Sequence, residues 1–337
     1  MDAKRIYLDH NASAPLHDAA RQAMLDALEA ANPSSVHAEG RSARRIVETA
    51  RRDVAALVNG RAEHVVFTSG ATEAASLLLS PHWIMGRAPL AFSRLYVSAA
   101  EHPCLLSGGR FAAEAVQRIC VKADGTIDLQ SLEHALTNHD RSEGLPLVAV
   151  HAANNETGVI QPTEEIGRIA KRAGAVMIVD AVQAAGRIPL DISSGNADFL
   201  IVSSHKIGGP KGAGAVVAVA DLMMPVPLIT GGGQEKGHRA GTENVPAIAG
   251  FGAAARQAAA GLAQMDAVRS RRNRMETVIR SIVPDAVIYG ERAERLPNTT
   301  FFSIPGMKAE TAQIAFDLAG IALSAGSACS SGKVGPS

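Results

Sequence analysis

The sequence of 337 residues is poor in cysteine and carries no net charge. It has three cysteines and no CxxC pair, which argues against a disulfide framework or a thiolate zinc site. Its 33 basic residues balance 33 acidic ones, so a broad surface for nucleic acid or an anionic membrane is not expected. The eleven histidines lack HExxH or similar spacing, and no resident metal is expected.

Long apolar runs are missing as well. No segment reaches membrane-spanning length, and the N-terminus lacks the apolar core of a signal peptide. We therefore expect a cytoplasmic protein that binds neither a membrane nor nucleic acid directly. Sparse thiols suit a reducing compartment, and Cys104 and Cys120, beside apolar helical neighbours, are expected to be small core residues.

Short apolar runs between helical patterns are abundant instead. Runs rich in β-branched residues predict buried strands at 65–68, 95–97, 147–150, 176–179, 199–202 and 215–219. Helical patterns such as 129–136 and 164–173 lie between them, and this alternation predicts an α/β fold with a mostly parallel sheet flanked by helices. Ligands of such sheets bind beyond the carboxyl ends of the strands.

The last third of the sequence predicts a second, smaller α+β unit. Residues 245–282 form one or two long helices, and short strands at 286–289, 299–304 and 321–323 surround a helix at 308–318. We predict a large domain at 16–262 and a small domain formed by 1–15 together with 263–337.

Polar residues of complementary chemistry follow three of the predicted strands. At Ala71-Thr72, backbone N–H groups and a hydroxyl at a helix start would hold a phosphate, or Thr72 is an ordinary N-cap. Asp180 ends an apolar run, where a carboxylate pairs with a protonated pyridine nitrogen or caps a helix. Lys206 follows a third strand, and desolvation would supply the neutral amine that a Schiff base requires, unless it is a surface lysine. Together the three segments predict a site for pyridoxal 5'-phosphate (PLP).

The order of several motifs carries a family resemblance. In the order found in cysteine desulfurases, the chain contains TSGATE, EHP, HANNETG, VDAVQ, SSHK, GGGQEKGHRAGTENVP and SAGSACSS. It resembles their NifS/IscS-like branch, within the class V aminotransferase superfamily of PLP-dependent enzymes of fold type I. The resemblance implies removal of sulfur from L-cysteine, release of L-alanine, and transfer of a persulfide to an acceptor or scaffold protein for iron–sulfur cluster assembly or tRNA thiolation.

The same resemblance implies roles for individual residues. Lys206 would bind PLP covalently, His102 would stack on its ring and assist proton transfer, and the Cys329 thiol would accept sulfur. Thr242 would reach the phosphate of the neighbouring subunit, which implies a homodimer. The remaining implied contacts with the cofactor are Ala71 and Thr72 (phosphate), Ser203 and His205 (phosphate), Asp180 (pyridine nitrogen), Gln183 (ring hydroxyl) and Asn155 (cofactor and substrate carboxylate).

The C-terminal cysteine leaves several alternatives open. Cys329 lies among small residues at 324–331, which predicts an accessible thiol, although a chance surface cysteine has the same pattern. It is also a candidate transient iron–sulfur ligand. Related enzymes continue beyond this cysteine and supply an arginine for the substrate carboxylate there, so the chain is expected to be shortened at its C-terminus. The alternatives are a selenocysteine lyase or another class V activity, and a truncated non-catalytic scaffold for sulfur-transfer partners.

Overall fold

The computed structural model describes residues 5–326. The strands are β1 (Ile6–Tyr7), β2 (Val65–Thr68), β3 (His82–Met85), β4 (Ala88–Ser98), β5 (Val116–Ile119), β6 (Leu145–His151), β7 (Val176–Asp180), β8 (Phe199–Ser203), β9 (Gly214–Ala218), β10 (Met223–Pro225), β11 (Val287–Ile288), β12 (Phe302–Ser303) and β13 (Ile321–Ala322). The helices are α1 (Asp18–Asp26), α2 (Ala38–Leu57), α3 (Ala71–Leu78), α4 (Pro103–Leu106), α5 (Leu129–Thr137), α6 (Thr163–Arg172), α7 (Val245–Gly261), α8 (Met265–Ile282) and α9 (Ala309–Leu318).

A nine-stranded sheet forms the centre of this described part. Its order is β10-β3-β4-β6-β7-β8-β9-β2, and β5 also pairs with β4. The pairs β4–β5, β4–β6, β6–β7 and β7–β8 are parallel, and the remaining four are antiparallel. Only β3 and β9 therefore run against the other strands of this sheet. The mostly parallel sheet predicted from the sequence is confirmed.

The central strands β7, β8 and β9 are apolar except where β7 ends in Asp180 and β8 in Ser203, because helices cover both faces of the sheet. Every residue of β7, β8 and β9 is buried, as expected for strands that are covered on both sides. One core cluster joins the sheet to α2, α5, α6 and α7, through residues such as Val54 and Phe251. The other includes Leu77 and Leu78 of α3 and the buried Trp83.

Two small sheets are separate from the central sheet. The N-terminal strand β1 pairs in parallel with β13, with Ile6 opposite Ile321, and β11 pairs antiparallel with β12. Residues from the two ends of the described chain therefore share one sheet. The domain boundaries at 16 and 262 remain a prediction.

The two described cysteines differ from the expected core residues. Cys120 is exposed, directly after β5 at the edge of the sheet, so its predicted burial was wrong. Cys104 is only half-buried in the short helix α4, where it packs partly against the core and partly lines a cavity. Proline at position 103 starts this helix between two residues that line the cavity, His102 and Cys104, so one side of Cys104 faces the cavity.

Candidate active site

One edge of the sheet collects the ends of five strands that run in the same direction. These strands end in Thr68, Ser98, His151, Asp180 and Ser203. A cavity of about 620 Å³ lies at this edge. Nine of the residues predicted from the sequence line it: Ala71, Thr72, His102, Asn155, Asp180, Gln183, Ser203, His205 and Lys206. The fold therefore brings together segments that are far apart in the sequence.

The start of α3 provides one wall of the cavity. Gly70 precedes the helix and has no side chain to accept from the first backbone N–H groups, so these donors and the positive end of the helix dipole are available to an anion. The turn depends on close backbone packing, because a Cβ atom on Gly214 would lie 2.7 Å from the Cα of Gly70. Glu73 holds the turn further by accepting from the Ser69 N–H at 2.8 Å and from Arg239 at 3.1 Å.

Lys206 projects from the single turn that follows β8, and it is 6% exposed. Its Nζ donates to the backbone carbonyl of Ala12 at 3.0 Å and to that of Asn11. The N-terminal segment thus passes directly over the lysine. These uncharged carbonyl groups hold the amine inside the cavity.

His102 lies across the same cavity and has a defined tautomer. Its Nδ1 accepts from the backbone N–H of Cys104 at 3.2 Å, and the Cys104 Sγ lies 3.0 Å from the same nitrogen. Burial lowers the pKa of His102, and the charge of Lys206 lowers it further. The neutral ring with its proton on Nε2 is therefore the favoured form.

His205 is also held neutral. Burial, assisted by the charges of Lys206 and Lys211, lowers the pKa of His205 to about 4. Its Nδ1 lies 3.3 Å from the hydroxyl of Ser13. An anion at this wall would therefore meet a neutral imidazole that acts through hydrogen bonds, close to the cationic Lys206.

Asp180 is a buried carboxylate beside these groups. Burial raises the pKa of Asp180 to about 6, and the charge of Glu101 also acts to raise it. The backbone N–H of Val182 donates to Oδ1 at 3.0 Å and acts to lower the pKa. The positive charges of His151 and Lys206 act in the same lowering direction. A carboxylate whose ionised form is disfavoured in this way is stabilised by a cationic ligand.

The pair formed by Glu101 and His151 was missed by the sequence reasoning. Their side chains are 0% and 6% exposed, and His151 Nδ1 lies 2.8 Å from Glu101 Oε1, which also accepts from the backbone N–H of His151 at 2.9 Å. Within residues 5–326, His151 Nε2 and Glu101 Oε2 have no hydrogen-bond partner although both atoms are buried. Both residues stand in motifs noted above, EHP and HANNETG. The available signal was that His151 ends β6 and that Glu101 follows shortly after β4.

A second missed group fixes Gln183. The buried Arg187 donates to the carbonyl of Gln183 at 2.9 Å, to its Oε1, and to the carbonyl of His10 at 3.2 Å. The Nε2 of Gln183 donates to the Asn11 carbonyl at 3.0 Å. Burial lowers the pKa of Arg187 to about 10, so it stays protonated at neutral pH. The second hydrogen on Nε2 of Gln183 is left for a ligand. No local sequence pattern predicts this arrangement.

Two predicted site residues are not among those that line the main cavity, one of them because the structure does not describe it. Thr242 lines a neighbouring cavity of about 140 Å³, which shares Ser69, Gly212 and Ala213 with the main one. Cys329 lies outside the described residues. Its role and that of Thr242 remain predictions.

The loop that carries Thr242 is anchored by a buried ion pair. Glu235 accepts from both terminal nitrogens of Arg51, at 2.6 and 2.7 Å, and from the backbone N–H of Phe67. Glu235 and Lys236 have φ angles of 47° and 57°, in the left-handed region. The ion pair therefore holds a strained turn against α2 and β2.

Comparison with known protein families shows to which family the chain belongs. The family model described as Aminotransferase class-V matches residues 6–335. The chain belongs to the class-V aminotransferase family. This member is similar to the cysteine desulfurase of Frankia sp. (strain EuIK1), with 41% identity over 98% of this chain and 81% of that protein. It is 40% identical to the cysteine desulfurase of Cereibacter sphaeroides, over 99% of this chain and 85% of the relative.

Solved structures place this class-V aminotransferase with the same group. The NifS-like protein from Rickettsia africae matches with a TM-score of 0.86 and 34% identity, over 96% of this chain and 88% of that chain. A second NifS-like protein matches with a TM-score of 0.84 and 31% identity, covering 94% and 87% of the two chains. The predicted fold type I and the resemblance to cysteine desulfurases are confirmed.

Other kinds of site are not seen in the described part of this class-V aminotransferase. No cluster of three or more metal-binding side chains occurs among residues 5–326. None of the helices described there is both long and apolar enough to cross a bilayer.

Proposed function

We propose that the protein is a PLP-dependent cysteine desulfurase in which Lys206 carries the cofactor and Cys329 receives the sulfur of L-cysteine. The observation that supports this most directly is the meeting of Lys206, Asp180 and the open start of α3 in one cavity. PLP needs an amine to bind its aldehyde, a carboxylate to pair with its ring nitrogen and an anion-binding site for its phosphate.

The residues around the cavity fit this cofactor. The N–H groups at the start of α3, the Ser203 hydroxyl and the neutral His205 are suitable donors for the phosphate. Asp180 would meet the ring nitrogen, since its buried carboxylate needs a cation. Lys206 would supply the amine, and His102 the ring face and an Nε2 proton.

PLP supplies an electron sink that weakens bonds at the α- and β-carbons of an amino acid. The protein's own residues then bind, orient and move protons. Lys206 Nζ is the base for the Cα proton, and the carbonyls of Asn11 and Ala12 hold this amine in place when it is protonated. Asn155 lines the cavity and would bind the substrate carboxylate.

The sulfur transfer balances without any external oxidant. The Cys329 thiolate attacks the sulfur of the substrate, an S–S bond forms, and the C–S bond breaks with its electron pair passing to carbon. The carbon is protonated, and the products are L-alanine and a persulfide on Cys329. The persulfide then passes to an acceptor or scaffold protein in the cytoplasm for iron–sulfur cluster assembly or tRNA thiolation. The protein acts as a homodimer, and Thr242 of each subunit contributes to the site of the other.

Two measurements test this function. Borohydride reduction of the protein with PLP should attach the cofactor to the peptide that contains Lys206, and the Lys206→Ala variant should remain unlabelled. With L-cysteine and a reductant, the native chain and the control Cys120→Ser should release alanine and sulfide at the same rate, because Cys120 is exposed and does not line the cavity.

The Cys329→Ser variant decides the role of the thiol. It should lose alanine and sulfide production together while it keeps the covalent cofactor. Turnover that survives this change rejects the proposed thiol and favours a lyase. A native chain that is not labelled by PLP and borohydride rejects the proposed enzyme altogether and favours a scaffold.

A further inference from the structure

The buried pair of Glu101 and His151 lies directly beside Asp180. His151 ends β6 and Asp180 ends β7, and the two residues are register partners on these adjacent parallel strands. The backbone N–H of Ala152 donates to the Asp180 carbonyl at 2.8 Å, which fixes this register at the cavity. Both side chains line the cavity, so they approach its contents from neighbouring strands.

The hydrogen bonds of the pair determine which nitrogen of His151 carries a proton. Glu101 Oε1 is an acceptor 2.8 Å from Nδ1, so Nδ1 is the donor. Nε2 is buried and has no hydrogen-bond partner within residues 5–326. A buried polar atom without a hydrogen-bond partner is costly, so this nitrogen needs a functional explanation.

We propose that Glu101 keeps His151 positively charged, and that His151 in turn keeps Asp180 ionised so that it can bind the protonated ring nitrogen of PLP. This inference rests on the proposed function. It makes Glu101 and His151 positioning residues, because they act through Asp180.

The charges around the pair agree with this order of action. Burial opposes a charge on His151, but Glu101, by attraction and hydrogen bonding, raises the pKa of the imidazole, and Asp180 adds to the increase. For Asp180, the Glu101 charge raises the pKa whereas the His151 and Lys206 charges lower it. A cation between two carboxylates lets both remain ionised. Without the charge of His151, less would oppose the effect of Glu101, and the pKa of Asp180 would rise further.

The first experiment needs no cofactor. In the cofactor-free native protein, ¹⁵N NMR should show His151 with both ring nitrogens protonated at pH 7, and in Glu101→Gln the ring should have lost one of these protons. A neutral His151 in the native protein at pH 7, or an unchanged ring in Glu101→Gln, overturns the proposal.

The second experiment asks whether the effect passes through the ring nitrogen. Dissociation constants are measured for PLP and for its 1-deaza analogue, in which carbon replaces that nitrogen. His151→Gln should bind PLP about ten-fold more weakly, from the loss of one close charge in a partly screened site. Its affinity for the deaza analogue should change less than about two-fold, since there is no cation for Asp180 to bind.

The control is His139→Gln, which removes another hydrogen-bonded histidine away from the cavity. His139 contacts the Tyr96 hydroxyl at 3.1 Å and the Gly144 carbonyl at 3.0 Å. It should leave both affinities unchanged.

The outcomes separate the two proposals. Equal weakening of PLP and the deaza analogue in His151→Gln means that the pair only supports packing, and this overturns the inference alone. Full PLP affinity in His151→Gln does the same. A native protein that does not bind PLP refutes the proposed function, while the NMR measurement still decides the charge of His151. If His151→Gln does not fold, the titration of the native protein remains decisive.

Discussion

Replacing Asp180 by asparagine should stabilise the cofactor-free protein at neutral pH. Burial raises the pKa of the Asp180 carboxyl from 3.8 to about 6. The folded state therefore keeps a proton that the unfolded chain has already released, and the stability from this group is fully present below pH 3.8 and is lost as the pH rises to about 6. About two pKa units at about 1.4 kcal/mol each correspond to a cost of about 3 kcal/mol above that range.

The asparagine variant should avoid this cost because its side chain does not ionise, and its Oδ1 can still accept from the Val182 N–H. Urea unfolding of the cofactor-free proteins measures the difference. At pH 4 the two free energies of unfolding should be nearly equal, at pH 5 the variant should be ahead by about half of the full difference, and at pH 7.5 by up to about 3 kcal/mol.

A difference that does not change with pH, or a variant that is less stable at pH 7.5, would refute this account of Asp180. With PLP present the order should reverse, because the variant loses the partner of the ring nitrogen. The same substitution would then stabilise the empty protein and weaken the loaded one.

Two further predictions concern stability. Arg51→Met should lower the free energy of unfolding, measured with urea, by about 3–5 kcal/mol, because it leaves Glu235 as a buried charge without its partner. The control Arg172→Met removes one partner of an exposed ion pair and should have little effect in the same assay. Gly208 and Gly212 both have a φ angle of 81°, but of the two only Gly208 has another side chain close to the position of a Cβ atom, at 2.1 Å. Thermal unfolding should show that Gly212→Ala lowers the free energy of unfolding by about 1–2 kcal/mol and that Gly208→Ala lowers it clearly more. Equal losses would mean that the contact at Gly208 has no energetic effect.

The central strands could be predicted because each is a continuous apolar run covered on both faces. Residues 65–68 form β2 as predicted, and the run at 199–202 differs from β8 by one residue. The strands β3, β5 and β10 escaped prediction. They lie at or near one edge of the sheet, where solvent replaces a neighbouring strand or helix, so their sequences need not be continuously apolar.

The candidate site divides along similar lines. Asp180 and Lys206 follow predicted strands, so their meeting at one edge of the sheet follows from the topology. The Glu101–His151 pair required knowledge of which strands are neighbours, since β4 and β6 are adjacent in space while β5 and α5 lie between them in sequence. Pairing of residues that are 50 positions apart leaves no periodic trace in one sequence.

The passage of the N-terminal segment over Lys206 has a practical consequence for handling the protein. Asn11 and Ala12 bind the lysine, and five positions before Asn11 the strand β1 begins its pairing with β13. A purification tag fused ahead of β1 would therefore join the chain within a few residues of the segment that binds the reactive amine. Colour and labelling measurements are better made with a tag that is cleaved, or with one inserted in an exposed surface loop remote from this edge.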